Sequence, residues 1–289
     1  MRGIPFIRRL FSQSADATTP AAKPGRSAAA ASAALPQPGE LTWACNICGA
    51  LNHTLITSME RESGTCRQCS SVMRFRAMMA ILTERFCGKV QVLTELARNP
   101  HITGLGMSDS DTYAALLAQK FSYTNTYYHC EPLLDIVKPA PQWLGVNDFV
   151  ISSDVFEHVP PPIQSAFDNM YALLKPGGIA IFSVPFSLEA DTFEHYPDLH
   201  DFTIRQDENG EWVLDNVSKA GVKKSFRNLV FHGGPGSTLE LRLFSQAALQ
   251  RHFAAAGFTD LRVHNEPHVE HGIFWLAPWS LMLSAVKPA

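Results

Sequence analysis

No apolar run in this chain approaches the ~20 residues that a helical membrane span requires, so an integral helical membrane protein is not expected. An excess of one charge is missing too. Lys and Arg number 24 against 27 Asp and Glu, a net charge of -3, which leaves no overall electrostatic footprint for a nucleic-acid partner. Six cysteines in 289 residues are too few for a disulfide scaffold. From Ser12 to Glu40 large apolar side chains are almost absent and Ala, Ser, Pro and Thr dominate. Such a segment cannot offset the entropy of ordering, and residues 1–40 are predicted to be a disordered tail. The opening MRGIPFIRRLF lacks the apolar stretch of a secretory signal. Basic and somewhat amphipathic, it is read as an unstructured extension, with membrane-surface contact or an organellar transit peptide as alternatives. The chain as a whole is 46% hydrophobic and 18% charged, the composition of a globular protein, and its length suits one large α/β domain with a small module.

Four cysteines define that module, residues 41–72. Cys45 and Cys48, then Cys66 and Cys69, form C-x2-C-x17-C-x2-C, two tight knuckles whose thiolates can close a tetrahedral Zn²⁺ site with no open position. A redox role for the two pairs is the rival reading. Such an ion would be structural, replacing a core that so short a segment cannot build. Cys87 and Cys130 are left as small buried hydrophobes of a reducing cytosol. Behind the second knuckle a helix is predicted from about Met73 to Phe86, with Phe75, Met78, Met79, Leu82 and Phe86 on its apolar face. Arg74 and Arg76 fall off that stripe. Solvation is expected for both, pairing with an anionic substrate being the alternative.

The most informative stretch runs from Asp148 to Phe186. Phe149, Val150 and Ile151 make a buried strand that ends in Ser153 and Asp154. A helix follows, with Ile163, Phe167, Met170, Tyr171 and Leu174 on one stripe, and Lys175-Pro176-Gly177-Gly178 stops it before a second apolar strand, Ile179 to Val184. This is a strand-helix-strand unit of a parallel sheet, and it places Ser153, Asp154, Glu157 and His158 at the sheet's carboxyl edge, where ligands bind.

DFVISSDVFEHV followed by LLKPGG and a strand resembles the fourth-to-fifth-strand segment of the class I S-adenosylmethionine (SAM) dependent methyltransferases. The resemblance implies a doubly wound, Rossmann-like α/β sheet of seven strands over residues 73–289. The preceding residues suit its cofactor half. His101 to Asp109 reads as a short strand and glycine turn, with a helix through Tyr113, Leu116, Leu117 and Lys120, Ser108 and Asp111 forming a capping-box-like start. Asp109, Ser110 and Asp111 crowd the helix terminus that a pyrophosphate would need, which favours a phosphate-free nucleoside. A strand from Thr126 to Cys130 would deliver Glu131 as acceptor for a ribose diol. The resemblance assigns Gly104 and Gly106 to the glycine loop, Glu131 to the ribose, and Asp135 to the neighbourhood of the adenine. Ser108 stands where the family often has a third glycine, and Ile102 where it usually has an acid; Ser108 is kept among the cofactor-binding candidates. Between Pro132 and Asn147 there is little room for the usual helix and third strand.

At the carboxyl end, Ser245 caps a helix bearing Leu249, Phe253 and Ala256, and strands are read at Thr259 to Asn265 and Leu281 to Lys287. The family resemblance makes these the sixth and seventh strands, the seventh antiparallel. Residues 187–238 form an insertion expected to fold over the acceptor side, with a hairpin from Trp212–Asp215 to Lys224–Phe226. His195, His200 and His232 lie in it. His158, His195 and His200 are the candidate catalytic bases. The knuckled amino terminus, the GLGMSD loop and the FHGGPG segment also resemble methyltransferases found with bacterial polysaccharide and secondary-metabolite genes. The function implied is a cytoplasmic, SAM-dependent methyl transfer to a small-molecule or glycan-like acceptor, at oxygen. An RNA methyltransferase docking through its zinc module, and a non-catalytic SAM-fold binding protein, are the alternatives.

Overall fold

The computed structural model describes residues 39–289, so the tail and the basic opening lie outside the described residues. The elements are β1 (Glu40–Ala44), β2 (Leu51–Leu55), α1 (Met73–Cys87), β3 (Asn99–Met107), α2 (Asp111–Lys120), β4 (Phe121–Thr126), β5 (Asn147–Ser153), α3 (Gln164–Leu173) and β6 (Leu174–Ser183). The insertion and its return supply β7 (Phe186–Ser187), β8 (Phe193–Glu194), β9 (Asp201–Gln206), β10 (Trp212–Val217), β11 (Lys223–Phe226), β12 (Phe231–His232), β13 (Thr238–Leu239) and β14 (Arg242–Ser245). Then come α4 (Gln246–Ala255), β15 (Thr259–His264) and β16 (Met282–Val286).

The main sheet runs β15-β16-β6-β5-β3-β4. β4, β3, β5 and β6 are mutually parallel, and β16 is antiparallel to both of its neighbours, as expected for the last strand. This sheet has six strands among the described residues rather than seven, because the segment from Pro132 to Asn147 is spent on turns and one short helical turn. Strand alternation divides two cores. Phe149, Ile151, Ile179, Ile181 and Met282 face α1, α2 and the cysteine segment, while Val150, Ala180, Phe182 and Leu283 face α3 and α4.

The cysteine segment is therefore one layer of the fold, since Trp43, Ile47 and Met59 share a continuous core with Met78, Leu82 and Phe149. This corrects the expectation for Arg74 and Arg76. α1 is covered on two sides, by the sheet and by the cysteine segment, so residues off its apolar stripe are buried as well. Arg76 stacks on Trp43 at 4.1 Å and donates to the carbonyls of Ser71, His271 and Gly272. A guanidinium can be buried there because its N–H groups meet fixed backbone acceptors.

Two local boundaries also differ. Ser110, not Ser108, caps α2, its hydroxyl accepting from the Thr112 amide, because Ser108 takes a left-handed φ of 56° and turns the chain first. β4 stops at Thr126, opposite Met107, where β3 ends and no further ladder partner exists. The chain then folds back, Tyr127 bridging to Leu133, so Glu131 stands on an exposed loop and not at a strand end. In α4 the Ser245 cap is as read, accepting from the Ala248 amide at 3.0 Å. The insertion holds the expected hairpin as β10–β11, adds β9 to it, and packs on its own core of Tyr196, Leu199, Leu214, Leu239 and Leu241.

Candidate active site

Strand order reverses between β3 and β5, and in open α/β sheets the crevice beyond the carboxyl ends at such a switch point is where ligands bind. Ser108 lies exposed at the end of β3, and Ser153 and Asp154 at the end of β5. Asp154 adopts a left-handed φ of 53°, a conformation that a non-glycine residue holds only when its surroundings fix it. Here they do. Its carboxylate receives Arg61 at 2.6 and 2.9 Å and the Ser183 hydroxyl at 2.9 Å, while Arg74 stands 3.4 Å away. Arg74 is in turn held by both oxygens of Glu62, at 2.6 and 2.8 Å, and donates to the Ser153 hydroxyl. Burial works to raise the Asp154 pKa, but the two guanidinium groups outweigh it and hold the carboxyl well below the usual carboxylate range.

Arg61 and Glu62 were missed from sequence. They lie in the spacer between the knuckles, where no periodicity or motif marks them. Their contacts bring the cysteine segment onto the sheet's carboxyl edge, so Asp154 anchors that segment as well as lining the crevice.

On the β3 side, Gly104 and Gly106 have a packing reason for lacking a side chain. A Cβ on Gly104 would strike the Phe149 ring, and one on Gly106 would strike the Tyr123 hydroxyl and the Asp109 carboxylate. Asp109 does not crowd the α2 terminus as expected. It turns inward to accept from Tyr113 at 2.9 Å and Tyr123 at 2.6 Å, leaving Asp111 as the exposed acid of the first turn. Burial pushes the Asp109 carboxyl up from its ordinary 3.8 to about 7, the tyrosine hydrogen bonds opposing this only in part. Between those two values the unfolded chain has released a proton that the folded chain keeps. Stability should therefore fall as pH rises through that window, by up to about 1.4 kcal/mol per pH unit from this group. Burial raises Glu157 as well, in the same sense, so the difference between proteins is what reports Asp109. Denaturant unfolding across the window is expected to show a shallower fall for Asp109→Asn, and equal slopes would refute the assignment.

Of the remaining cofactor candidates, Glu131 Oε2 accepts from the Leu133 amide and Asp135 Oδ1 from the Val137 amide, both shaping the loop after β4. Asn169 of α3 holds that loop through the carbonyls of Ile136 and Val137.

The histidines separate into two groups. His158 follows β5 and its Nδ1 lies 2.8 Å from the Leu239 carbonyl, so Nδ1 carries the proton and Nε2 is bare. Burial depresses its pKa, which keeps the ring neutral near pH 7. Glu157, His158 and His232 hold potential ligand atoms within 4.8 Å of one another. His195 stands with Glu240, 3.4 Å from its Oε1, beside that trio rather than in it. His200 is exposed, and its backbone amide donates to Asn216 within the insertion.

The four cysteines converge. Cys45 and Cys69 sulfurs are 3.7 Å apart and Cys48 and Cys66 sulfurs 3.6 Å. A tetrahedral ion with metal–sulfur bonds of ~2.3 Å needs sulfur–sulfur edges of about 3.8 Å, so the set fits one. Each knuckle ends in a left-handed residue, Gly49 and Ser70, whose amide returns to the carbonyl of the first cysteine. The Cys69 contact and burial push the Cys45 thiol up to about 12, and the same contact lowers Cys69.

No curated protein matches the chain. Among solved structures, the 1,6-didemethyltoxoflavin N1-methyltransferase of Burkholderia thailandensis is 14% identical, with 74% of this chain and 79% of that one covered and a TM-score of 0.43. The sugar N-methyltransferase KedS8 of Streptoalloteichus is 11% identical, with 77% and 89% covered and a TM-score of 0.42. A family profile described as a methyltransferase domain matches residues 87–263, more than half of the chain and all of the sheet's parallel core from β4 to β6. By that match, over a mixed α/β sheet whose crevice carries the site just described, the chain belongs to the methyltransferase-domain family and is a methyltransferase.

Proposed function

We propose that the methyl donor is S-adenosylmethionine and the acceptor a small molecule or glycan-like compound methylated at oxygen, in the cytoplasm. The observation that carries this reading is the switch point of the sheet and the residues gathered at it. Ser108, Ser153 and Asp154 lie at the switch point, while Glu157 and His158 follow on the loop after β5 and meet His232 of the insertion. In this reading Gly104, Gly106 and Ser108 shape the turn beside the cofactor, Glu131 accepts from its ribose hydroxyls, and Asp135 lies toward its adenine. The cofactor supplies an electrophilic methyl on a sulfonium. The chain's part is alignment and exclusion of water, with a base needed only for a hydroxyl of high pKa. The bare Nε2 of neutral His158 is the base best placed to take the proton of an acceptor hydroxyl. His195 and His200 are the further candidates on the insertion. The four thiols hold a structural Zn²⁺ that fastens residues 41–72 and takes no part in the reaction. Arg74 and Arg76, turned inward, give no phosphate-binding face to the RNA alternative.

The test is calorimetry with SAM. Replacing Glu131 by alanine should weaken binding by about 1.5–3 kcal/mol, the range for hydrogen bonds to a charged acceptor. No heat from the intact protein would overturn the cofactor, and an unchanged Glu131→Ala would overturn the ribose contact.

A further inference from the structure

Glu157 is 0% exposed, yet neither of its carboxylate oxygens has a hydrogen-bond partner among the described residues. Buried carboxyls are ordinarily satisfied, and leaving one unpaired costs more than most native contacts return. The nearest candidate is no help. His158 Nε2 lies 3.8 Å from Glu157 Oε1, beyond hydrogen-bond reach. The His158 ring is pinned through Nδ1 to the Leu239 carbonyl, which leaves Nε2 as an electron-pair donor facing another electron-pair donor. His232 completes the group from the insertion, its ring 5.7 Å from that of His158.

From this geometry we infer that Glu157, His158 and His232 form a binding site for a divalent transition-metal ion. Two imidazoles and one carboxylate suit zinc, cobalt or iron(II) rather than calcium or magnesium, which prefer oxygen alone. The Nδ1–H to Leu239 carbonyl bond is the outer contact that orients an imidazole ligand. Asp154 and Glu240 add negative potential around Glu157, against which Arg61 acts in the opposite sense. The ion would also do mechanical work. Glu157 and His158 belong to the loop after β5, whereas His232 sits on β12, paired to β13, which carries Leu239. An ion shared by the three ties the insertion down over the crevice. Three protein ligands leave coordination positions open, as in catalytic rather than structural metal sites. With the ion bound, His158 Nε2 is no longer free to take a proton, so its roles as ligand and as base exclude each other.

The experiment is a titration of the full chain, carrying its zinc, with Co²⁺, followed by calorimetry and visible absorption and needing no methyl acceptor. The expected result is one Co²⁺ per chain with ligand-field bands but no thiolate charge-transfer bands, the latter marking entry into the cysteine set instead. His232→Ala, at an exposed position that the fold does not depend on, should weaken Co²⁺ by at least about tenfold, and Glu157→Gln likewise. Protection of the insertion from limited proteolysis by Co²⁺ should be lost in His232→Ala. Absence of such binding, binding only with thiolate bands, or affinity unchanged in both variants would overturn the site and leave His158 as a base; SAM binding, measured separately, would be untouched by that outcome.

Discussion

Replacing Asp154 by alanine is expected to cost about 3–5 kcal/mol of folding stability, the range for removing one partner of a buried ion pair. A typical domain has only about 5–15 kcal/mol in total, so this single change should bring the protein close to unfolding. The size follows from what is left behind. Arg61 and Arg74 are mostly buried, and Arg61 would keep only the Ser280 carbonyl and the half-exposed Glu62 as partners. Arg74 retains its two-pronged contact with Glu62, which limits the damage to one uncompensated cation. The pH dependence has a definite sign. Because the folded carboxyl lies well below its ordinary value, its contribution is complete above the normal carboxylate range and is lost as pH falls through the folded value. Asp154→Asn should therefore resemble the wild type in acid and fall below it near neutrality. Urea unfolding at neutral and acid pH measures both effects, and a loss under about 1 kcal/mol for Asp154→Ala would show that the arginines find other partners.

The parallel core was legible because its strands are short, apolar on consecutive positions and bounded by polar residues. Phe149 to Ile151 is buried on both faces, and the Ser153–Asp154 end follows from strand direction alone. The Ser245 cap and the cysteine cluster were legible for the same reason: each depends on residues near one another in sequence. What was not legible depends on what packs against what. Arg74 and Arg76 read as solvated only if α1 has one covered face, and the spacing of its apolar residues cannot report that the cysteine segment covers a second. Arg61 meets Asp154 across 93 positions of chain, with no local pattern to announce it. The strand read at Thr126 to Cys130 stands instead at Phe121–Thr126: aromatic residues continue past Thr126 as far as Tyr128, but the strand stops where β3 stops, a fact about its neighbour and not about its own composition.

These long-range contacts change what the cysteine segment means for the site. Seen as a separate module, residues 41–72 could be lost without consequence for the crevice. Instead Trp43, Ile47 and Met59 lie in the core that also holds Phe149 and Ile151, and Arg61 closes over Asp154 at the carboxyl edge of β5. Local order around the sulfurs is thus connected to the geometry of the proposed cofactor site through this shared core and the Arg61–Asp154 contact.

Cys45→Ser is accordingly expected to lose the proposed structural zinc, lower stability by more than about 4 kcal/mol, and impair SAM binding in parallel. Serine cannot replace the thiolate: its hydroxyl stays protonated near pH 7 and sits farther from the ion than sulfur would. The freed knuckle loses the turn that places Ile47 and, through it, the amide of Thr94 on the Ile47 carbonyl. Cys87→Ser is the control, since Cys87, like Cys130, is exposed rather than buried as expected, lies at the end of α1 and belongs to no cluster of potential ligands among the described residues. Elemental analysis of anaerobically purified protein should give one zinc per chain for the wild type and Cys87→Ser, and well under one for Cys45→Ser. Calorimetry with SAM then separates two outcomes. If zinc is lost and SAM affinity falls with it, the Arg61–Asp154 contact transmits the damage to the crevice. If zinc is lost while SAM binds as before, the cysteine segment is a layer of the fold only, and the crevice is held by the sheet alone.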